Sequence, residues 1–427
     1  MNYIIKDCIL VDSNETKTVI IENGIICDIL DNFADKNIEN YQIIDGKGLY
    51  LSNGLFDFHT HLREPGFEYK EDIESGTKAA VMGGFTAVAV MPNTNPICDN
   101  VKTIEYILDK AKKAGFAKVY PIVSITMGSK GEDLTDFAEL KKAGAVAVSD
   151  DGLPMISTKV MKDALILAYQ EKMPVISHCE DISISQGCIN EGEISKQLGV
   201  EGISSVAEEI MVARECLLSY QYNVAVHIAH ISTKNSVDIV RFYKSKGAKI
   251  TAETCPHYFS LTQEAVLTKG TNAKMNPPLR TKEDANAIIE GIEDNTIDII
   301  VTDHAPHSKE EKDIGLEKAP NGIVGLETSL SVGITYLVKP NHITLKTLIE
   351  KMSKIPLKII GEKRSIKIGE KADLVLFNPN EEYVVLANNF KSKSKNTPYD
   401  NEKLFGVVYY TFVDGKMVVN NKELVEN

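Results

Sequence analysis

Two histidines separated by one residue, in the segment GLFDFHTHLREPG (54–66), are the first groups in this sequence that could do chemistry. The segment is apolar enough to form a buried strand, yet it also carries Asp57 and Arg63, and polar groups are costly to bury unless each has a partner. Because side chains alternate along a strand, His59 and His61 point to the same side of it. Imidazoles are ligands that Zn²⁺ binds readily. The pair therefore predicts a metal site.

Further candidate ligands and polar groups follow other apolar runs of the chain. They are Asn93, Asp150, Asp151, His178, His230, Cys255, His257, Asn276, Asp303, His304 and His307. Eight of the nine histidines stand at such positions, and only His342 does not. Four histidines and two aspartates are more than one tetrahedral ion needs. The set therefore favours two divalent ions that share a bridging carboxylate.

Some of these residues are expected to have structural roles instead. A lone buried histidine is more often hydrogen-bonded within the core, and this is our interpretation of His227 and His257. Adjacent residues of a strand point to opposite sides, so only one of Asp150 and Asp151 can face the site. The cysteines, Cys255 among them, are interpreted as packing residues.

The apolar runs that precede these residues alternate with segments of helical spacing. The runs lie at 54–62, 85–93, 118–126, 145–152, 175–181, 224–232, 249–258 and 298–307. Continuous apolar strands that alternate with helices imply a parallel sheet buried on both faces. Eight such units over roughly 300 residues predict an α/β fold, a (β/α)8 TIM-type barrel. The candidate ligands stand at the carboxyl ends of the strands, which is where such barrels carry their reactive groups.

The two ends of the chain have a different pattern, with short strands and turns. The dipeptide Asn-Gly at 23–24 is typical of a hairpin. We predict that residues 1–52 and 365–427 form one small β domain beside a barrel of residues 53–364. The polar segment 391–401 is predicted to be a loop.

Composition excludes several classes of function. The chain has 427 residues and a formal net charge of −13, which disfavours binding to nucleic acid or to an anionic membrane surface. Its seven cysteines are odd in number and form no C-x-x-C pair, as in a protein with reduced thiols. The N-terminus lacks the apolar core of a signal peptide, and no window reaches the length of a membrane span. We therefore expect a cytoplasmic protein whose partner is a small molecule. An anionic substrate would need a local positive group, from an arginine or a metal.

Ten short motifs occur along the chain in a fixed order. They are DFHTHLREPG, MPNTNP, SDDG, SHCED, HIAHIST, CPHYF, KMNPPLR, TDHAPH, GIVGLET and NTPY. Together they resemble the dihydroorotase family, in its longer bacterial type, within the amidohydrolase superfamily. The likeness extends from about residue 50 to residue 415.

The resemblance implies zinc-dependent, reversible interconversion of N-carbamoyl-L-aspartate and (S)-dihydroorotate in de novo pyrimidine (UMP) biosynthesis. It implies two Zn²⁺ per subunit, a hydroxide shared by the two ions as nucleophile, and Asp303 as general base and then general acid. The metal ligands that it carries over, with Asp151 as the bridge, are His59, His61, Asp151, His178, His230 and Asp303.

Substrate contacts are implied in the same way. The residues carried over are His61, Arg63, Asn93, Asn276, His307, Asn321 and Gly322. Arg63, Asn93 and His307 are expected to bind the carboxylate. Asn276 and the backbone of residues 321–322 are expected to bind the ring amides. Asn321 stands where the family usually has a phenylalanine.

Two other functions are weighed against this one. A hydantoinase or allantoinase would act on a neutral ring or a ureide, but relatives of that kind bridge their metals with a lysine on strand four, and the run at 145–152 has none. Arg63 also favours a substrate with a carboxylate. A metal-free scaffold homologue is disfavoured because all six candidate ligands are present. The sequence is compatible with a homodimer and with association with other enzymes of the pyrimidine pathway.

Overall fold

The chain folds around two main sheets, one mixed and one parallel. The computed structural model describes residues 1–31, 33 and 39–426. Within these residues the strands, in chain order, are β1 (Asn2–Leu10), β2 (Thr16–Glu22), β3 (Ile25–Leu30), β4 (Tyr41–Asp45), β5 (Tyr50–Asn53), β6 (Leu55–Thr60), β7 (Phe85–Val90), β8 (Lys118–Val123), β9 (Ala147–Ser149), β10 (Val175–Ser177), β11 (Ile189–Asn190), β12 (Gly202–Ile203), β13 (Val226–Ile228), β14 (Ile250–Thr254), β15 (Ile299–Ile300), β16 (Leu374–Val384), β17 (Lys403–Val413), β18 (Lys416–Asn420) and β19 (Glu423–Leu424).

The parallel sheet is the barrel. Its strands pair in the order β6, β7, β8, β9, β10, β13, β14 and β15. The two ends of this row meet where Thr60 bridges His304 and where the N–H of His61 donates to the His304 carbonyl at 2.8 Å. Strands β6 and β7 are buried at every position, as expected of strands covered on both faces. The predicted (β/α)8 barrel is confirmed.

Helices connect the barrel strands. In chain order they are α1 (Ile73–Met82), α2 (Val101–Ala114), α3 (Phe137–Ala143), α4 (Thr158–Glu171), α5 (Glu193–Leu198), α6 (Val206–Tyr222), α7 (Lys234–Ser245), α8 (Pro256–Ser260), α9 (Ala265–Lys269), α10 (Lys282–Glu293), α11 (Lys309–Lys312), α12 (Ser329–Gly333), α13 (Leu345–Met352) and α14 (Lys354–Ile359). Helix α2 shows how the sequence sets their bounds. The Asn100 side chain accepts from the N–H of Thr103 at its start, and Gly115 takes the left-handed conformation at its end. Its buried face carries Ile104 and Ile107.

The mixed sheet joins the two ends of the chain. Its order is β19, β18, β17, β16, β5, β1, β2 and β3, with β4 also paired to β1. Strand β16 runs antiparallel to β5, with Leu374 opposite Asn53. Only Gly54 separates β5 from the first barrel strand. A side chain there would meet Thr86, because a Cβ atom would lie 2.1 Å from the Thr86 Cγ2. The predicted β sheet from both chain ends is confirmed, whereas the exact domain bounds 1–52, 53–364 and 365–427 stay a prediction.

Two local features differ from what the sequence pattern suggested. Strands β11 and β12 form a separate two-stranded sheet that the periodicity did not predict, since each has only two residues. The segment 391–401 has no helix or strand, as predicted, but it alternates in exposure. Ser392, Ser394 and Asn396 are buried against the barrel.

Across the described ranges 1–31, 33 and 39–426, none of the helices combines the length and the apolar character that crossing a bilayer would require.

Candidate metal centre and substrate pocket

Asp151 lies at the centre of a cluster of histidines at the carboxyl ends of the barrel strands. It follows β9 and is 6% exposed. Its carboxylate belongs to two groups of donor atoms, each spanning no more than 4.8 Å: one with His59 and His61, and one with His178 and His230. One carboxylate thus lies between two sets of imidazoles. This is the arrangement that two ions sharing a ligand require.

The first group takes His59 from β6 and His61 from just after it, and Asp303, which follows β15, lies next to both histidines. His59 Nε2 lies 3.5 Å from Asp151 Oδ1 and 3.5 Å from Asp303 Oδ1. His61 Nε2 lies 3.1 Å from Asp303 Oδ1 and 3.4 Å from Asp151 Oδ2. The two histidines do face the same side, as the strand period predicted. Asp303 has a positive φ of 46°, an uncommon backbone conformation that turns its carboxylate toward them.

The second group comes from the residues after β10 and β13. His178 Nδ1 lies 3.4 Å from Asp151 Oδ1 and 2.8 Å from His230 Nε2. His230 Nε2 lies 3.5 Å from the same Asp151 oxygen. His178 therefore presents Nδ1 to the centre, and its Nε2 lies 3.1 Å from a carboxylate oxygen of Glu180.

Unpartnered atoms at this centre fit a metal. Among the described residues, His59 Nε2 and Asp151 Oδ1 are buried and have no hydrogen-bond partner. An imidazole nitrogen and a carboxylate oxygen left bare in the core would each be costly, and their convergence within 3.5 Å gives a cation two ligands at once. Imidazole with carboxylate is also a donor set that suits Zn²⁺ and similar divalent ions.

The two carboxylates are ionised although they are buried. Burial raises the pKa of Asp151, but the surrounding imidazoles, His59 first, outweigh it and hold that pKa well below its usual range. Burial also raises the pKa of Asp303, but the hydrogen bond from His61 and the charge of His59 outweigh burial and lower that pKa. Both side chains are thus in the state that a ligand or a general base needs.

A glutamate inside β14 supports this centre from behind, and the sequence reasoning missed it. Glu253 is fully buried, with Oε1 at 2.6 Å from His59 Nδ1 and Oε2 at 2.9 Å from His227 Nε2. Burial raises its pKa, but the charges and hydrogen bonds of His59 and His227 outweigh burial and hold that pKa far below its usual range, so the group is a carboxylate. An acidic residue in the middle of an apolar strand was the signal that could have revealed it. His227 is a structural residue in this arrangement, as predicted.

The neighbouring aspartates have structural roles. Asp150 turns away from Asp151 and accepts from Ser124 Oγ at 2.5 Å and Thr126 Oγ1 at 2.7 Å. Asp57 accepts from the N–H of Thr302 at 3.1 Å, which ties β6 to the residues after β15. Their carboxylates therefore fix loops and strands and do not face the metal centre.

A third set of possible donors overlaps the first. Cys255, His257 and Asp303 also have donor atoms within 4.8 Å of one another. Burial raises the pKa of the Cys255 thiol well above its usual value, which disfavours the thiolate that a metal needs. His257 is buried, its Nε2 has no partner among the described residues, and burial lowers its pKa to about 4. The interpretation of Cys255 as a packing residue and of His257 as a hydrogen-bonded structural residue stays a prediction.

The metal centre opens into a cavity of about 220 Å³ that contains every predicted substrate-binding residue. Its lining includes His61, Arg63, Asn93, Asn276, His307, Asn321 and Gly322, together with Asp151, His178, His230 and Asp303. The small volume suits a compact polar molecule. Nine of the ten polar side chains in the lining, all except Asn321, come from segments that the sequence placed at strand ends or just after them.

The positively charged guanidinium of Arg63 lies on the wall of this cavity. Its Nε donates to the Pro306 carbonyl at 3.2 Å, and its Nη2 lies 3.3 Å from His307 Nε2. Burial lowers the pKa of the guanidinium to about 10, so it remains charged. Within the described part of the chain no carboxylate forms an ion pair with it, so it is available for the carboxylate of a ligand.

The residues around Arg63 are held in defined states. Asn93 Oδ1 lies 2.9 Å from His61 Nδ1, so its amide nitrogen is left for another acceptor. His307 Nε2 lies 2.8 Å from the Asn321 carbonyl and Nδ1 lies 3.3 Å from Lys70 Nζ. Burial and the positive charges of Arg63 and Lys70 lower the pKa of His307 to about 3. These partners assign the neutral imidazole with its proton on Nε2.

Asn276 and Gly322 also line the cavity, and Asn276 donates to Glu180 Oε2 at 3.1 Å. Gly322 has a φ of 132°, and a Cβ there would lie 2.7 Å from the Ala305 Cβ. Its N–H donates to the Lys274 carbonyl at 3.0 Å. Glycine is thus required sterically at this point, and the contact of its backbone with a ring amide stays a prediction.

Comparison with known proteins places these features in a family. A family model described as "Dihydro-orotase-like" matches residues 48–236. A dihydroorotase of Acetivibrio thermocellus is 51% identical over 416 residues, covering 97% of each chain, and one of Ruminiclostridium cellulolyticum is 49% identical over 409 residues, covering 95% of each. Among solved structures, the L-hydantoinase (dihydropyrimidinase) of Arthrobacter aurescens has a TM-score of 0.87 at 23% identity, covering 99% of this chain and 97% of its own, which is a likeness of fold.

Proposed function

The chain belongs to the dihydroorotase family, whose members are hydrolases of cyclic amides, and from that premise we propose that it interconverts N-carbamoyl-L-aspartate and (S)-dihydroorotate in de novo pyrimidine biosynthesis. The observation that carries the choice of substrate is Arg63. The guanidinium is half-buried on the wall of the cavity that holds the histidine cluster and has no anionic partner among the described residues, which matches a small ring that bears a carboxylate.

The metal would be held by six side chains. We assign His59, His61 and Asp303 to one Zn²⁺, His178 and His230 to a second, and Asp151 to both. The bare atoms of His59 and Asp151 support this assignment. When bound, such ions lower the pKa of water from about 15.7 to about 7 and polarise a carbonyl oxygen.

Asp303 is the proposed catalytic residue. It lies on the cavity wall and is ionised, so it can take the proton of the attacking water. The water oxygen forms a bond to the carbonyl carbon of the ring amide. The bond between that carbon and the ring nitrogen then breaks. Asp303 returns the proton to the leaving nitrogen. In the direction of ring closure it removes a proton from the ureido nitrogen and gives it to the departing oxygen.

The other side chains of the cavity orient the ring. Arg63 presents a planar pair of donors that suits a carboxylate. Asn93 and neutral His307 lie beside it and complete that end of the pocket. Asn276 and the backbone of 321–322 also line the cavity, where they would contact the ring amides. Asn321, which replaces the usual aromatic residue, is exposed at the rim of the pocket.

Hydrolysis of hydantoins or allantoin is the second candidate. The fold of the L-hydantoinase is compatible with it. However, β9 and the two aspartates after it contain no lysine. A neutral ring would also offer no carboxylate for Arg63 to bind. A cytoplasmic location, a homodimer and association with other pyrimidine-pathway enzymes remain predictions.

One experiment tests the proposal. The protein is purified without chelator, its metal content is measured by mass spectrometry, and turnover is assayed in both directions. We expect two equivalents of zinc per chain, and turnover that is lost on chelation and restored by Zn²⁺. Turnover of hydantoin or allantoin with none of dihydroorotate would overturn the proposal in favour of the second candidate.

A further inference from the structure

Two buried lysines beside the substrate cavity hydrogen-bond only to carbonyls among the described residues. Lys312, at the end of α11, is 3% exposed, and Lys274 is 5% exposed. Within the described part of the chain neither ammonium forms an ion pair with a carboxylate. A buried charge without a counter-ion is costly, so these positions need a physical reason.

The ammonium of Lys312 donates to three backbone carbonyls. Its Nζ lies 2.9 Å from the Pro320 oxygen, 3.0 Å from the Gly322 oxygen and 3.3 Å from the Lys274 oxygen. Burial, followed by the nearby charge of Lys274, lowers its pKa to about 7, and Glu311 acts in the opposite direction.

The same loop is held from its other end by Lys274. Its Nζ donates to the carbonyls of Leu316 at 2.7 Å, Glu317 at 3.3 Å and Ala319 at 2.6 Å. The two side chains therefore fill the inside of the loop at 313–322 and satisfy carbonyls that would otherwise be buried without donors.

This loop ends at the substrate cavity. The Asn321 carbonyl accepts from His307 Nε2 at 2.8 Å, and residues 321–322 line the cavity. The Gly322 carbonyl has a second donor besides Lys312, since Asn396 Nδ2 lies 3.0 Å from it. Asn396 Oδ1 also accepts from the N–H of His307 at 3.2 Å. Lys312 and Asn396 thus converge on one carbonyl, from inside the loop and from the C-terminal segment.

We propose that Lys312 is a positioning residue that fixes the 321–322 backbone and His307 against the substrate, with Asn396 as the second anchor. This inference rests on the proposed function, because it concerns the cavity assigned there to the substrate. Lys312 lines the far side of His307 and is absent from the cavity wall itself, so it acts through the loop and not by contact.

The test compares three variants of the full-length, metal-loaded protein. K312M keeps the apolar stem and removes the donors. N396D keeps the acceptor for His307 and removes the donor to Gly322. K351M is the matched control, because Lys351 is 1% exposed and donates to the Ile297 carbonyl at 2.7 Å, but lies on α13, away from the cavity.

We expect K312M and N396D to raise KM about 10-fold, the effect of roughly one lost hydrogen bond at the substrate, and to change kcat less than about threefold. K351M should leave KM unchanged even where it lowers stability. Hydrogen exchange of the amides of 313–322 is measured in parallel and should become faster in K312M but not in K351M.

Unchanged KM and unchanged exchange in both K312M and N396D would overturn the inference. So would a K351M variant with the same rise in KM, since the effect would then be one of general stability. If K312M does not fold, N396D decides the question. A wild-type protein that turns over neither substrate would refute the proposed function, and amide exchange would still test the anchoring of the loop.

Discussion

Glu253 Oε1 lies 2.6 Å from His59 Nδ1, on the side of the imidazole ring away from Asp151 and Asp303. A carboxylate at Nδ1 keeps the proton there and leaves Nε2 free as an electron-pair donor. The buried pair thus sets which nitrogen of His59 faces the metal centre.

Replacement of this carboxylate should weaken the hold on metal. We expect E253Q to lose metal at about 10- to 100-fold lower chelator concentration than the wild type, as is usual for such supporting partners. Metal content is measured after dialysis against a chelator series. D373N is a control, because Asp373 is 4% exposed and pairs with Lys118 at 2.7 Å in a different part of the fold. Equal metal retention by E253Q and the wild type would show that Glu253 does not orient His59.

Removal of the acid–base group should affect turnover more than folding. We expect D303N to keep its circular dichroism spectrum and much of its metal, and to lose about 10²- to 10⁴-fold in kcat in both directions, the contribution usual for a positioned proton-transfer group. Steady-state kinetics and metal analysis are run on the same preparation. Near-wild-type ring closure by D303N would remove Asp303 from the mechanism.

The arginine on the cavity wall should matter for binding. We expect R63K to raise KM about 10- to 100-fold with a smaller change in kcat, because lysine keeps the charge but loses the paired donors of the guanidinium. R63A should raise KM further, since it also loses the charge. If neither variant changed KM, the substrate carboxylate would have to bind elsewhere.

The thiol beside Asp303 should be dispensable. We expect C255A to keep two equivalents of metal and kcat within about threefold of the wild type, because a buried thiol whose pKa is raised is a poor ligand. Metal quantification checks this directly. Loss of one equivalent in C255A would instead assign the overlapping set of Cys255, His257 and Asp303 to an ion.

Most of the barrel could be predicted from the sequence, because polar residues mark the ends of its apolar strands. Apolar runs predicted the eight barrel strands, and the polar residues at their ends predicted which side chains converge. The period of two also separated Asp151 from Asp150, and the structure places their carboxylates in opposite directions.

What the sequence did not reveal are the residues that act through other residues. Glu253 has a signal of its own, since it interrupts an apolar strand. Lys312 and Asn396 have none, because lysine and asparagine in polar segments look like solvent-exposed residues. Both contact the Gly322 carbonyl, from 74 residues away in the chain for Asn396 and from 10 residues away for Lys312. Such contacts form only in the complete fold.

The C-terminal position of Asn396 has a consequence for synthesis. A nascent chain that has reached residue 390 already contains all six proposed metal ligands, but it lacks the amide that holds His307 and Gly322 together. Strand β17, which pairs along β16, is also still to be made. Translation therefore supplies the six proposed ligands first, and the amide that anchors the substrate end of the cavity only near the end.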